Sequence, residues 1–296
     1  MSWPPALHEL PDHEMVLLEE LAVSLATRAG RFVRDGRPTR VDVAQTKTTE
    51  LDVVTEMDTR CETLLREQLA RHRSEDAVLG EEDGLTGGDS GLTWVLDPID
   101  GTVNYLYGYP AYAVCVAVVA GDPTTPGGWA PLAGAVHHPA LDEVFHARCG
   151  GGARVDRPAG PGSSAYTSGR SLGPLGRTVD GGPALLERAL VGTGFSYDVL
   201  ARQDQGAIAA EVLTLVRDLR RSGSAALDLC HVGAGRLDGY YERGLHPWDM
   251  AAAALVVTEA GGVVSGLDAP PSGEMVLATT PELHEDLHAL LRRLHH

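Results

Sequence analysis

The run YAVCVAVVA, from Tyr112 to Ala120, does most to constrain the fold of this chain. It is uncharged and rich in β-branched residues, and it falls well short of the roughly 18 apolar residues of a membrane span. The turn-forming GDPTTPGG follows it, and then a second apolar run, LAGAVHHP. Two such runs around a Gly/Pro cluster read as strand, turn, strand. EVFHARCGGGARV continues the pattern as a further hairpin. On the amino-terminal side, Trp94 to Leu96 and Ala77 to Leu79 read as shorter strands.

Helices flank these strands. Leu17, Leu18, Leu21, Leu25, Phe32 and Val33 recur at helical spacing between Met15 and Val33. Val54, Met57, Cys61, Leu64, Leu65 and Leu69 form a second such pattern. Thr55 with Asp58 three residues on resembles a capping box, with Asp replacing the usual Glu. The intervening VDVAQTKTTELD is polar and reads as a loop. DRPAGPGSSAYTSGRSLGPLG, rich in Gly, Ser and Pro, reads as a boundary or surface connection. Strand and helix then alternate: a strand at Ala189 to Val191, helices at Ala207 to Leu215 and Ser224 to Val232, and a strand in GRLDGYYE. A helix over Met250 to Ala260 is stopped by Gly261, and PELHEDLHALLRRLHH is an amphipathic helix. The expectation is a layered α/β (α+β) architecture with two sheets. Residues 1–155 form one part, helices plus a mainly antiparallel sheet, and residues 156–296 form an alternating α/β part.

Composition narrows the function. The chain has 296 residues, 43% hydrophobic and 22% charged, as a globular protein does. Its formal net charge of -17 argues against a nucleic-acid groove, which needs a basic stripe. Cys61, Cys115, Cys149 and Cys230 are scattered without CxxC spacing, which indicates neither a zinc site nor a redox motif. Reduced thiols in a cytoplasm fit best. MSWPPALHELPDHEM lacks the basic and apolar regions of a signal peptide, and no window suggests a membrane partner.

Acidic residues recur where elements begin or end. Asp52 and Asp58 flank the second helix, Glu81 and Glu82 follow the strand ending at Leu79, and Asp249 opens the helix at Met250. In WVLDPIDGTVNYLYG, Asp97 and Asp100 follow the strand Trp94 to Leu96. Taken singly, Asp58 and Asp249 are helix caps, Glu81 and Glu82 a solvated loop, and Asp97 to Gly101 an ordinary turn. Taken together, they lie at the element junctions where ligand sites form, and several carboxylates suit a hard cation. Pro98 keeps Asp97 extended, so that it points out of the strand end, with Asp100 at the turn. Gly101 permits close backbone approach, and a short helix starting near Thr102 would aim free amides at an anion. No cysteine has a nearby basic motif and no GxSxG is present, so nothing indicates a covalent nucleophile.

DPIDGT together with HPWDMAAAALVVTEAGG resembles the two signatures of the inositol monophosphatase family. GEE and DVVTEMD fit it in order and spacing, and RRSGSAALDLCHVGAGRLDGYYE is similar to its bacterial, notably actinobacterial, members. The resemblance runs from Lys47 to Gly262. It implies an αβαβα sandwich and a Mg2+-dependent phosphomonoesterase that uses two or three ions. Glu81, Asp97 and the Ile99 carbonyl would hold one Mg2+; Asp97, Asp100 and Asp249 a second; Glu81 would help with a weaker third. Asp58 and Thr102 would pair with Glu81 to orient the attacking water, and the Gly101 and Thr102 amides would bind phosphate. Glu242, with Gly223, Ser224, Ala225, Asp100 and Asp249, would contact the substrate, Glu242 through polyol hydroxyls. The alternative for Glu242 is a surface charge at a strand end. Lys47 matches a lysine of the family's mobile loop or is simply a solvated lysine, and VGTGFSYD either borders the site or is a plain strand-end turn. The implied substrate is myo-inositol 1-phosphate, with fructose 1,6-bisphosphate, histidinol phosphate and adenosine bisphosphates as the family's other options. A cytoplasmic, lithium-sensitive homodimer is implied too. A regulatory interaction protein with weak phosphatase activity is the alternative of a different class.

Overall fold

A computed structural model describes residues 10–47, 53–159, 166–173 and 185–295 of the chain. In chain order the elements are α1 (Asp12–Asp35), β1 (Val43–Thr46), β2 (Val53–Thr55), α2 (Glu56–His72), β3 (Ala77–Gly80), β4 (Gly84–Thr86) and β5 (Leu92–Asp100). There follow α3 (Thr102–Tyr107), β6 (Ala113–Gly121), β7 (Trp129–His138), β8 (Glu143–Arg148), β9 (Gly152–Pro158) and β10 (Tyr166–Ser171). The rest comprises β11 (Leu190–Thr193), α4 (Val199–Leu213), β12 (Asp218–Arg220), α5 (Ala225–Gly233), β13 (Gly239–Glu242), α6 (Pro247–Glu259), β14 (Val263–Ser265), β15 (Val276–Thr279) and α7 (Pro281–Leu294).

Two large sheets organise these elements. The first has eight strands in the order β10-β9-β8-β7-β6-β5-β3-β4, antiparallel except for β3 beside β5. The second has five, β12-β11-β13-β15-β14, with β11 parallel to both its neighbours. α1 and α2 cover one face of the first sheet with Leu18, Ala22, Cys61 and Leu65. α5 and α6 fill the space between the sheets, and α4 and α7 close the outer face of the second through Val212, Leu283 and Leu287. The result is the expected five-layered αβαβα sandwich.

The layering explains the sequence patterns. β6 is buried from Ala113 to Ala120 because helices lie on both its faces, so its residues are apolar without alternation. α6 is buried from Met250 to Val257 between two sheets, which removes the need for a polar stripe. Its alanines let it lie close to the first sheet: a Cβ added at Gly134 would come within 2.9 Å of the Ala252 Cα.

Several elements differ from the sequence reading. The segment read as a polar loop contains β1, paired antiparallel with β2; Asp52 lies outside the described residues. Part of the Gly/Ser/Pro-rich connection is β10, an edge strand on β9. α4 begins at Val199, well before Ala207, because Asp198 caps it by accepting the Ala201 amide. β4, β12, β14 and β15 are short and had not been assigned, whereas α3 begins at Thr102, where a short helix was expected.

The largest difference is in β5, which runs on through Pro98 to Asp100 instead of stopping at Leu96. Asp97 pairs with Cys115 and Asp100 with Ala113, so Pro98 and Ile99 together face the single residue Val114. This is a β-bulge, placed where Pro98 has no N–H to give the ladder. Val95, Cys115 and Ala113 pack toward α5 and α6, whereas Leu96, Val114 and Ile99 pack toward α1 and α2. Strict alternation would put Asp97 and Asp100 on opposite faces. The extra residue returns Asp100 to the side of Asp97.

Candidate active site

Behind the bulge lies a cavity of about 460 Å3, lined by residues of both sheets and of the helix layer between them. Asp97, Asp100 and Asp249 meet there, with a carboxylate oxygen from each within 4.8 Å of the others. Each acid is held differently. Asp249 is the third residue of α6 and accepts the His246 amide at 2.6 Å, closing a capping box. Asp100 receives the Ser224 hydroxyl at 2.5 Å and the Ala226 and Ala225 amides at 2.8 and 3.3 Å, so the first turn of α5 is aimed at it. Asp97 is 1% exposed, and neither of its oxygens has a hydrogen-bond partner.

Burial, followed by repulsion from Glu81 and Asp100, drives Asp97 and Asp249 far above the usual carboxylate range. Burial also lifts Asp100, to about 6, although its bonds to Ser224 and Ala226 oppose the rise. Buried, unpaired carboxylate oxygens are costly and rare in folded proteins. The Asp97 oxygens are in that state, and three converging carboxylates, all oxygen donors, fit a hard cation such as Mg2+.

Asp58 is fully buried behind this cluster as the third residue of α2, in a capping box with Thr55, whose amide it accepts at 2.9 Å. Its other oxygen accepts the Thr102 hydroxyl at 3.1 Å, and that hydroxyl also lies 3.0 Å from the Ile99 carbonyl oxygen. Thr102 opens α3 behind Gly101, which adopts a left-handed conformation at φ 96°. A Cβ at position 101 would stand 3.0 Å from the Ala111 and Gly223 carbonyl oxygens, so only glycine fits this turn. Glu81 and Glu82 share the ammonium of Lys47, at 2.8 and 2.7 Å. Lys47 is thus ion-paired at the cavity wall while remaining exposed.

On another part of the wall, Glu242 ends β13 and accepts the Tyr240 hydroxyl. Burial pushes its carboxyl up to about 7. Gly223, Ser224 and Ala225 line the cavity nearby, and the segment from Thr193 to Asp198 completes it.

The inositol monophosphatase family profile matches residues 14–296. This chain belongs to the inositol monophosphatase family. It is 42% identical over 300 residues to the inositol-1-monophosphatase of Mycobacterium bovis, covering 96% of each chain. The solved structure of Mycobacterium tuberculosis SuhB superposes with a TM-score of 0.74 at 42% identity, over 94% of this chain and 97% of that one. A Pasteurella multocida protein named Nus factor SuhB is 32% identical, over 91% of this chain and 94% of its own. The chain is therefore a phosphoric monoester hydrolase of a metal-dependent family.

Of the residues singled out in the sequence of this phosphatase, Glu81, Asp97, Ile99, Asp100, Gly101, Thr102, Gly223, Ser224, Ala225, Glu242 and Asp249 line one cavity, and Asp58 reaches it through Thr102. Two contributors were missed, Glu62 and Tyr240, and a third, Gly194, was noted only within VGTGFSYD, which does border the site. Glu62, one turn after Asp58 on α2, accepts the Glu82 and Asp83 amides at 2.8 and 3.0 Å and so shapes the Glu81 turn. Tyr240 and Gly194 flank the Glu242 carboxyl. The position of Gly194, just past the end of a parallel strand, was the available signal, since ligands in α/β sheets sit beyond carboxyl ends. Among the described residues no helix is long and apolar enough to cross a membrane.

Proposed function

We propose that this phosphatase hydrolyses myo-inositol 1-phosphate to myo-inositol and phosphate, with Mg2+ as its cofactor. The observation that carries the proposal is the convergence of Asp97, Asp100 and Asp249, with both Asp97 oxygens unpaired, in the cavity that Glu242 also lines. Glu81, Asp97 and the Ile99 carbonyl would hold one ion, Asp97, Asp100 and Asp249 a second, and Glu81 a weaker third. When bound, such ions neutralise the phosphate dianion, acidify water and stabilise the leaving oxygen.

The chain's own groups supply the rest. The Thr102 hydroxyl gives its proton to Asp58 or to the Ile99 carbonyl, which leaves its oxygen to accept from a water and orient it. Burial raises Asp58 to about 6, despite its bonds to Thr55, so it can take up a proton passed through Thr102 near neutral pH. The Gly101 and Thr102 amides would bind phosphate oxygens. Glu242 would accept polyol hydroxyls beside the wall of Gly223, Ser224 and Ala225. Cys61, Cys115, Cys149 and Cys230 are all free thiols, which supports a cytoplasmic setting. The family resemblance further supports a lithium-sensitive homodimer.

Phosphate release tests this reading across inositol 1-phosphate, fructose 1,6-bisphosphate, histidinol phosphate and an adenosine bisphosphate. Inositol 1-phosphate should be preferred, with activity lost on chelation and restored by Mg2+. Release that survives thorough chelation, or a clear preference for another ester, overturns it. The Pasteurella relative named as a Nus factor favours a second reading, a regulatory interaction role beside catalysis. Retention of that role by a catalytically dead Asp249→Asn chain would support it.

A further inference from the structure

Glu242 is held on two sides. On one side is the Tyr240 hydroxyl, which donates to Glu242 Oε2. Tyr240 is fully buried beneath the cavity floor, and burial, then the charge of Glu242, keeps its phenol protonated. Toward the ionised Glu242 carboxylate it therefore donates. On the other side is Gly194. A Cβ there would stand 2.0 Å from Glu242 Oε2 and 2.1 Å from both Cδ and Oε1, so the carboxyl occupies the space a side chain would fill. Gly194 does not adopt a left-handed conformation, so its backbone does not require glycine. Its lack of a side chain matters for the room it leaves.

We infer that Tyr240 and Gly194 are positioning residues that fix the Glu242 carboxyl and thereby set the preference for phosphate esters carrying a polyol. The hydroxyl holds Oε2, which leaves Oε1 to accept from the substrate, and the gap at Gly194 lets the group sit flush with the β11 wall. This inference rests on Glu242 being the polyol ligand.

The test uses Tyr240→Phe, Gly194→Ala and Glu242→Ala in the full chain with Mg2+. The probes are inositol 1-phosphate and 4-nitrophenyl phosphate, which has no polyol. Tyr240→Phe keeps the ring, and Gly194→Ala displaces only the far end of a flexible side chain, so both should fold. Each should raise KM for inositol 1-phosphate by about five- to tenfold, the size expected for one lost or misaligned hydrogen bond, with kcat within about twofold. Hydrolysis of 4-nitrophenyl phosphate should stay within about twofold. In the Glu242→Ala background neither change should add anything further.

Equal losses on both esters would make the two residues structural and overturn the inference, as would unchanged kinetics on inositol 1-phosphate when Glu242→Ala itself raises KM. If Glu242→Ala leaves that KM unchanged, the polyol reading of Glu242 falls first, and the positioning role with it.

Discussion

Ser224 donates its hydroxyl to Asp100 at 2.5 Å while accepting the Leu227 amide at 3.2 Å. One side chain therefore both starts α5 and aims a carboxylate carried by β5. Ser224→Ala removes a helix cap and a charge-assisted hydrogen bond together. Urea unfolding should show a loss of about 1–3 kcal/mol, and turnover should fall about tenfold or more as Asp100 loses its orientation. Ser224→Thr should recover most of both. If Ser224→Ala matches the parent in both measurements, the bond does not organise the site.

Asp100→Asn and Asp249→Asn each remove one anionic oxygen donor at nearly constant volume. Turnover should drop at least about a hundredfold, because stabilisation of the leaving oxygen is worth several kcal/mol. Folding should be kept or improved in the metal-free state, since repulsion within the cluster is relieved. Steady-state kinetics on purified variants decide the matter, and near-normal turnover in either one counts against its role.

The same cluster predicts how the metal-free protein responds to acid. Burial, and then neighbouring acids, raise Asp97, Asp100 and Asp249, with Asp100 at about 6. A carboxyl raised on folding binds its proton more tightly in the folded state. Metal-free stability should therefore rise as pH falls from about 7 to about 5 and stop rising near the ordinary Asp value of about 4. Saturating Mg2+ should abolish that gain and raise the melting point, by about 2.7 kcal/mol of stability at a hundredfold excess over Kd. Calorimetry at pH 5 and pH 7.5, with chelator and with Mg2+, gives the comparison. A melting point insensitive to the cation would refute it.

His146 predicts an opposite, alkaline limit elsewhere in the fold. Its ring lies 2.7 Å from Glu19 Oε1 and 3.6 Å from Asp156 Oδ1, joining α1 to β8 and β9. Burial alone would lower its pKa, but Asp156 and Glu19 outweigh burial and raise it to about 9. Its contribution should be complete below about 6.5 and lost as pH climbs through about 9. His146→Gln should be less stable at pH 6, with the deficit narrowing toward pH 9.5. Urea midpoints that stay parallel across this range would show that the imidazolium has no such role.

The acids were readable in the sequence because each terminates or opens an element, and the paired signatures gave their order. The local capping of Asp58 and the stop at Gly261 were equally visible, since both depend on neighbours a few residues away. The continuation of β5 was not, because a proline between two aspartates has the composition of a turn and only pairing with β6 keeps it extended. Tyr240 and Gly194 were hidden for a related reason. Their importance lies in contact with Glu242, and for Gly194 that contact spans a separation that no periodicity reports.

The bulge at Pro98 and Ile99 has a consequence for what counts as a conservative change. Replacing Pro98 by a β-branched residue returns the missing N–H and favours regular pairing at the same length, which would leave every acid in place and yield a better strand with alternation restored. Asp100 would then turn toward α1 and α2, away from Asp97, Asp249 and the Ser224 hydroxyl. In this stretch the irregularity encodes the chemistry as firmly as the side chains do: made regular at the same length, it would remain a sound piece of architecture and cease to be part of an enzyme.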